Sequence, residues 1–150
     1  MRGAHHLLLS AALWLAGSSA AAVAAEFKSV GPGPAVMFDA PAQKSRKLYI
    51  APVGMPVEIV LVNGEWTRVR DAAGDLSWVE SRSLSTRRTL VVESGQISAR
   101  SSANDSAPVA FTAAKDVLLE LAEPISSAWI KVRHRDGETG YVKAAEVWGD

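Results

Sequence analysis

The sequence predicts an all-β protein: two tandem small β-barrels behind an N-terminal export signal. Three observations carry this reading. A pattern occurs twice at a fixed offset, no stretch after residue 26 has a convincing helical period, and the runs between turn signals are short and alternating. The repeat centres on Asn63-Gly64-Glu65-Trp66-Thr67-Arg68-Val69-Arg70, followed by Ala73-Gly74-Asp75-Leu76-Ser77-Trp78-Val79. Downstream stand Ala128-Trp129-Ile130-Lys131-Val132-Arg133 and Asp136-Gly137-Glu138-Thr139-Gly140-Tyr141-Val142. The differences 129 − 66, 137 − 74 and 141 − 78 all equal 63. A turn, a Trp-x-x-Val strand, a Gly turn and an aromatic-Val strand therefore recur in register.

At 150 residues the chain is long enough for one domain or two very small ones. Sixteen basic residues balance sixteen acidic ones, so there is no electrostatic case for nucleic acid or an anionic membrane surface. Cysteine is absent, which excludes a disulfide, a thiolate nucleophile and a Cys-ligated metal. Arg2 opens a leader whose apolar run, residues 6–17, is followed by small residues and by Ala22-Val23-Ala24. That pattern predicts a secretory signal cleaved after Ala24 or Ala25. The run from Leu7 to Ala16 is too short to cross about 30 Å of hydrocarbon. The expectation is a soluble periplasmic or secreted protein with no membrane insertion after cleavage. The domains are read as 1–25 (signal), 26–86 (first barrel) and 87–150 (second barrel).

In chain order, residues 26–34 read as an irregular lead-in, because Gly31-Pro32-Gly33-Pro34 blocks helix and central strand. Residues 35–40 read as a strand ended by Pro41, residues 42–46 as a polar loop, and residues 47–51 as a second strand. Residues 56–62 are the clearest strand, with Val57, Ile59 and Leu61 on one face and Glu58, Val60 and Val62 on the other. Asn63-Gly64 is a hairpin dipeptide, since both residues tolerate positive φ. Residues 66–71 and 76–79 follow as strands, and 81–85 as a single 3₁₀ turn bringing Leu84 to the core. The run 89–93 leads into the second copy. Its strands are 96–100, 109–112, 117–122, 129–133 and 139–142, and its closing turn, 144–147, puts Val147 where Leu84 stood. Residues 113–116 come nearest to a helical pattern, and they are few. A sheet of about sixty residues has exposed edges unless it closes on itself, so a barrel is the economical form. The linker 85–89 lacks Gly and Pro, which predicts barrels in contact.

These residues resemble bacterial SH3 domains, the SH3b group of small five-stranded barrels found in exported proteins. The resemblance rests on the strand Gly54 to Leu61, Trp66 to Val69 and Gly74 to Val79. In the second copy it rests on Val117 to Leu121, Trp129 to Val132 and Gly137 to Val142. The first copy departs from the family pattern, with Asp75-Leu76-Ser77 where a second Gly is common. The resemblance implies binding of a cell-wall peptide, docking onto a partner protein, or targeting of a linked enzyme.

Period 2 places Thr67 and Val69 inward, so Trp66, Arg68 and Arg70 point outward; likewise Ile130 and Val132 point in and Trp129 out. An outward Trp is either an interaction platform or a partly buried lid over the barrel edge. By resemblance to eukaryotic SH3 domains, Phe38 and Asp39 stand near the position of their groove residues. The candidate ligand set is therefore Phe38, Asp39, Tyr49, Trp66, Arg68 and Trp129, beside the polar loop 42–47. The Pro and Tyr that complete a proline-binding groove would fall near Glu80 and Ser83, and neither is present, which argues against proline-motif binding.

Chemistry is poorly supplied. His134 is the one histidine after the leader, so a multi-His metal site is excluded. No Gly-x-Ser-x-Gly string and no Gly-rich phosphate loop occurs. Arg133-His134-Arg135-Asp136 reads as a hairpin end held by local charge pairs. No catalytic residue, cofactor or metal is expected. The partner expected is a peptidoglycan peptide or an envelope protein. The first reading is an exported, non-catalytic binding module. The second is a structural or adaptor protein docking through an exposed patch.

Overall fold

The computed structural model describes residues 23–150. The export-signal expectation covers residues 1–25, of which 1–22 lie outside that range. Among the described residues there is no α-helix, only strands and two 3₁₀ turns. The strands are β1 Phe27–Val30, β2 Ala35–Phe38, β3 Lys47–Ala51, β4 Pro56–Asn63, β5 Trp66–Arg70, β6 Leu76–Glu80 and β7 Leu84–Ser85 in the first barrel. The second barrel has β8 Thr89–Val92, β9 Gln96–Arg100, β10 Val109–Ala114, β11 Leu118–Leu121, β12 Trp129–Arg133, β13 Thr139–Lys143 and β14 Val147–Trp148. The two sheets have the same topology, β3-β2-β6-β5-β4-β1-β7 and β10-β9-β13-β12-β11-β8-β14, with all pairings antiparallel.

Each sheet wraps its own core. Val30, Ala35, Met37, Ala51, Val57, Val69 and Val79 fill the first. Leu90, Ile97, Phe111, Leu119, Ile130, Val132 and Val142 dominate the second. β-branched residues suit this pleated, half-buried setting, and Val57, Val69, Val79, Ile97, Ile130, Val132 and Val142 supply them to the two cores.

The structure corrects three sequence expectations. Residues 27–30, read as an irregular lead-in, form β1, which lies between β4 and β7. The breaker Gly31-Pro32-Gly33-Pro34 follows this strand and does not interrupt it; four residues were too few to show alternation. Residues 113 and 114, the nearest to a helical pattern, end β10. The regular alternation read across β4 holds only to Ile59. A β-bulge between Ile59 and Leu61 shifts the register against β5, and Leu61 lies 52% exposed.

The repeat also has a finer structure than one offset. The pairs Glu58↔Arg70 and Glu120↔Arg133 are equivalent, so the offset is 62 on one side (120 − 58) and 63 on the other (133 − 70). The longer β11–β12 turn contains the extra residue. Backbone bonds confirm the upstream offset: Gly54 N donates to Val30 O, and Asp116 N to Val92 O. Gly54 has φ +86° and Asp116 φ +70°, so the aspartate occupies a left-handed position that glycine holds in the first copy.

The barrels touch. Phe27 meets Trp148 edge to face at 5.1 Å, and the Arg88 guanidinium sits 5.6 Å from the Phe27 ring while donating to Gly149 O at 2.7 Å. Thr89 Oγ1 donates to Gly54 O at 2.7 Å, and Ser29 Oγ to Arg87 O at 2.7 Å. No helix among the described residues is long and apolar enough to cross a membrane.

Close packing of β13 on β9 yields a stability prediction. A Cβ on buried Gly140 would lie 2.9 Å from Ala99 Cβ and 3.2 Å from Arg100 O. In urea unfolding, Gly140→Ala lowers stability by about 1–3 kcal/mol, although the same register position in the first copy carries Ser77 (140 − 77 = 63).

Candidate functional site

The β5–β6 hairpin builds the site. Thr67, Val69, Ser77 and Val79 point inward and are buried, which turns Trp66, Arg68, Trp78 and Glu80 to the outer surface. Antiparallel register sets Trp66 opposite Glu80. Beyond them, Ser81 N donates to Glu65 O at 2.8 Å, Ser81 Oγ donates to Gly64 O at 3.2 Å, and Thr67 Oγ1 shares a hydrogen bond with Ser81 Oγ at 2.8 Å. These bonds pin the hairpin end against the 3₁₀ turn Ser81–Ser83. The polar loop 42–46 comes alongside, and Gln43 Nε2 donates to Glu80 Oε1.

The result is a cleft of about 480 Å³, lined by Gln43, Gly64, Glu65, Trp66, Glu80, Ser81 and Arg82. Arg82 pairs with Glu80 across it, although the arginine side chain is 84% exposed. An exposed pair of this kind contributes little and is easily exchanged.

The six sequence-derived candidates separate. Trp66 lines the cleft. Phe38 is 3% exposed and meets Trp66 edge to face at 5.2 Å, so it supports the indole from behind. Asp39 closes the neighbouring loop: its Oδ1 accepts from Arg46 N at 3.0 Å, and its Oδ2 pairs with Arg46 Nε at 3.3 Å. Arg68 is half-buried opposite Trp78, outside the cleft. Tyr49 also lies outside it, donating its hydroxyl to Asp71 Oδ2 at 3.1 Å. Trp129 occupies the Trp66 position of the second barrel, with Lys143 Nζ 5.5 Å from its ring centroid.

Sequence reading missed Glu65, Glu80, Ser81 and Arg82. Glu80 faces Trp66 because the β5–β6 connection over residues 71–75 sets Arg70 opposite Leu76, a register that the spacing alone does not fix. The other three depend on how the 3₁₀ turn folds back. The His134 side chain is held within its own hairpin, with Nδ1 3.0 Å from Asp136 Oδ2, and its ring packs on Phe111 at 5.6 Å. Among the described residues no group of three His, Cys, Asp or Glu is placed to hold a metal ion.

The profile of the bacterial SH3 domain matches residues 31–86 and again residues 93–149. The chain belongs to the bacterial SH3 domain family. The two matched segments take in six of the seven strands of each sheet, all but β1 and β8, so each barrel is a bacterial SH3 domain. No curated protein matches the chain. Among solved structures it is similar to NlpC1 from Trichomonas vaginalis, at 12% identity and a TM-score of 0.39, over 89% of this chain and 49% of that one. NlpC2 from the same organism gives 12% and 0.39, over 85% and 49%. An NlpC/P60 family protein from Bacillus cereus ATCC 10987 gives 12% and 0.37, over 82% and 56%. The chain thus spans about half the length of these proteins.

Two predictions follow from the side chains around this bacterial SH3 cleft. Phe38→Ala removes a buried ring and lowers stability by about 3–5 kcal/mol in urea unfolding, whereas Trp66, which is only partly buried, costs less when truncated. Tyr49 has its phenol pushed up from 10.0 to about 12, chiefly by burial and then by the nearby Asp71 carboxylate. A raised folded-state value means the neutral phenol stabilises the fold, so its contribution is complete below pH 10 and is lost as pH rises through about 12. Urea midpoints of the wild type and Tyr49→Phe, followed from about pH 9 to 12, converge or cross as the wild type loses this term.

Proposed function

We propose that this tandem bacterial SH3 chain is an exported, non-catalytic binding module that takes a cell-wall peptide or a peptide segment of a protein partner. The cleft beside Trp66 is the observation that carries the reading. It combines one aromatic wall with carboxylate, guanidinium, amide and hydroxyl groups, the mixture that reads an extended peptide by its backbone and polar side chains. Membership of the bacterial SH3 family supports a binding role over a catalytic one. The chemistry near His134 supports the same reading, because that imidazole is engaged in its own hairpin.

A specific surface favours the second reading, an adaptor docking another protein. β3 is the edge strand of the first sheet, and Leu48 and Ile50 on it are exposed, Ile50 at 70%. An exposed apolar edge strand is a template for strand addition.

Retention on purified peptidoglycan separates the two. The wall-binding reading expects the protein to be retained at low salt and Trp66→Ala to be released, with little change in thermal midpoint. If the protein flows through, or if Trp66→Ala is retained equally while Leu48→Asp abolishes retention, the cleft is not the binding site.

A further inference from the structure

The two copies differ at the Trp platform in a way that indicates what the first one holds. In the second barrel the Trp129 ring is covered by the chain's own Lys143, whose Nζ stands 5.5 Å from the ring centroid and 2.7 Å from Asp105 Oδ1. An ammonium within about 6 Å of an indole centroid is attracted by the ring quadrupole. The platform is thus faced internally by a cation that sits between an aromatic ring and a carboxylate.

The equivalent positions in the first barrel are Glu80 for Lys143 (143 − 80 = 63) and Gln43 for Asp105 (105 − 43 = 62). The clasp between polar loop and strand end persists as Gln43 Nε2 to Glu80 Oε1, but the lysine is gone. Ala128 of the second copy is replaced by Glu65 (128 − 65 = 63), which also lines the cleft. The first platform therefore has an aromatic wall, two carboxylates and open space where the second has an ammonium. Both Glu80 oxygens have partners, Gln43 on Oε1 and Arg82 on Oε2, and the Arg82 side chain, 84% exposed, makes the readily exchanged contact that an incoming cation replaces.

Resting on the cleft reading above, we infer that the first barrel selects ligands carrying a primary ammonium or guanidinium. The cation lies against Trp66 and is neutralised by Glu80 and Glu65. The second barrel is closed to the same ligands because Lys143 takes that place. One barrel recognises and its copy is self-occupied, although the fold is repeated.

The test titrates the ¹⁵N-labelled protein with Ala-Lys-Ala blocked at both ends, and with the same peptide acetylated at the lysine amine. Indole N–H signals of Trp66 and Trp129 are followed by NMR. The expected result is a shift at Trp66 alone, weakened about fivefold or more by acetylation. Glu80→Lys, which copies the second barrel, removes the response, and Glu80→Gln reduces it with the folded spectrum intact. Lys143→Glu makes Trp129 respond. Equal shifts from both peptides at Trp66 overturn cation selection while leaving the cleft as a peptide site. A silent Trp66 with either peptide overturns both. A wild-type Trp129 that responds like Trp66 overturns the self-occupied second barrel.

Discussion

The antiparallel register of the β5–β6 hairpin is the constraint on which the rest of the first barrel depends. Thr67 and Val69 on one strand, and Ser77 and Val79 on the other, all face the interior. With those positions committed to the core, period 2 leaves Trp66 and Glu80 no choice but to face outward and to stand opposite each other. A slip of one residue would bury Trp66 and Arg68 and expose Val69, so the hydrophobic core enforces the geometry of the cleft. Phe38 then sets the tilt of the indole from behind, and the hydrogen bonds of Ser81 hold the hairpin end against the following turn.

The second copy shows which parts of this arrangement are structural. Ile130, Val132 and Val142 reproduce the inward positions, and Trp129 is again turned out, opposite Lys143. The core is free to vary in volume, with Ala35 and Met37 in one barrel where Ile97 and Ala99 stand in the other. What differs in kind is the charge beside the tryptophan. A glutamate in one copy and a lysine in the other leave the backbone unchanged and reverse what the surface can receive. Duplication thus retained the platform while its electrostatics diverged.

The contact between barrels limits how independently they move. Phe27 comes from the first strand of one barrel and Trp148 from the last strand of the other, and Arg88 from the linker is layered on Phe27. The bond from Thr89 Oγ1 to Gly54 O joins the first strand of the second barrel to the turn before β4. Partly buried aromatic and hydrogen-bonded contacts of this sort hold a linker that lacks Gly and Pro in one path.

The amino-acid order alone carried the class of fold, the duplication, the inward and outward faces of the Trp-x-x-Val strands and the family resemblance. Each of these is a local matter of period and turn chemistry, visible within a few residues of Asn63-Gly64 or Asp136-Gly137. It could not reveal β1, whose four residues show strand character only through partners more than twenty-five positions away, as in Phe27↔Glu58. Nor could it show the bulge after Ile59, the burial of Phe38, or the convergence of Gln43, Glu80 and Arg82 on one cleft. Those features arise when distant segments meet, and the folded chain settles them because packing and charge act through space, where spacing along the chain carries no information.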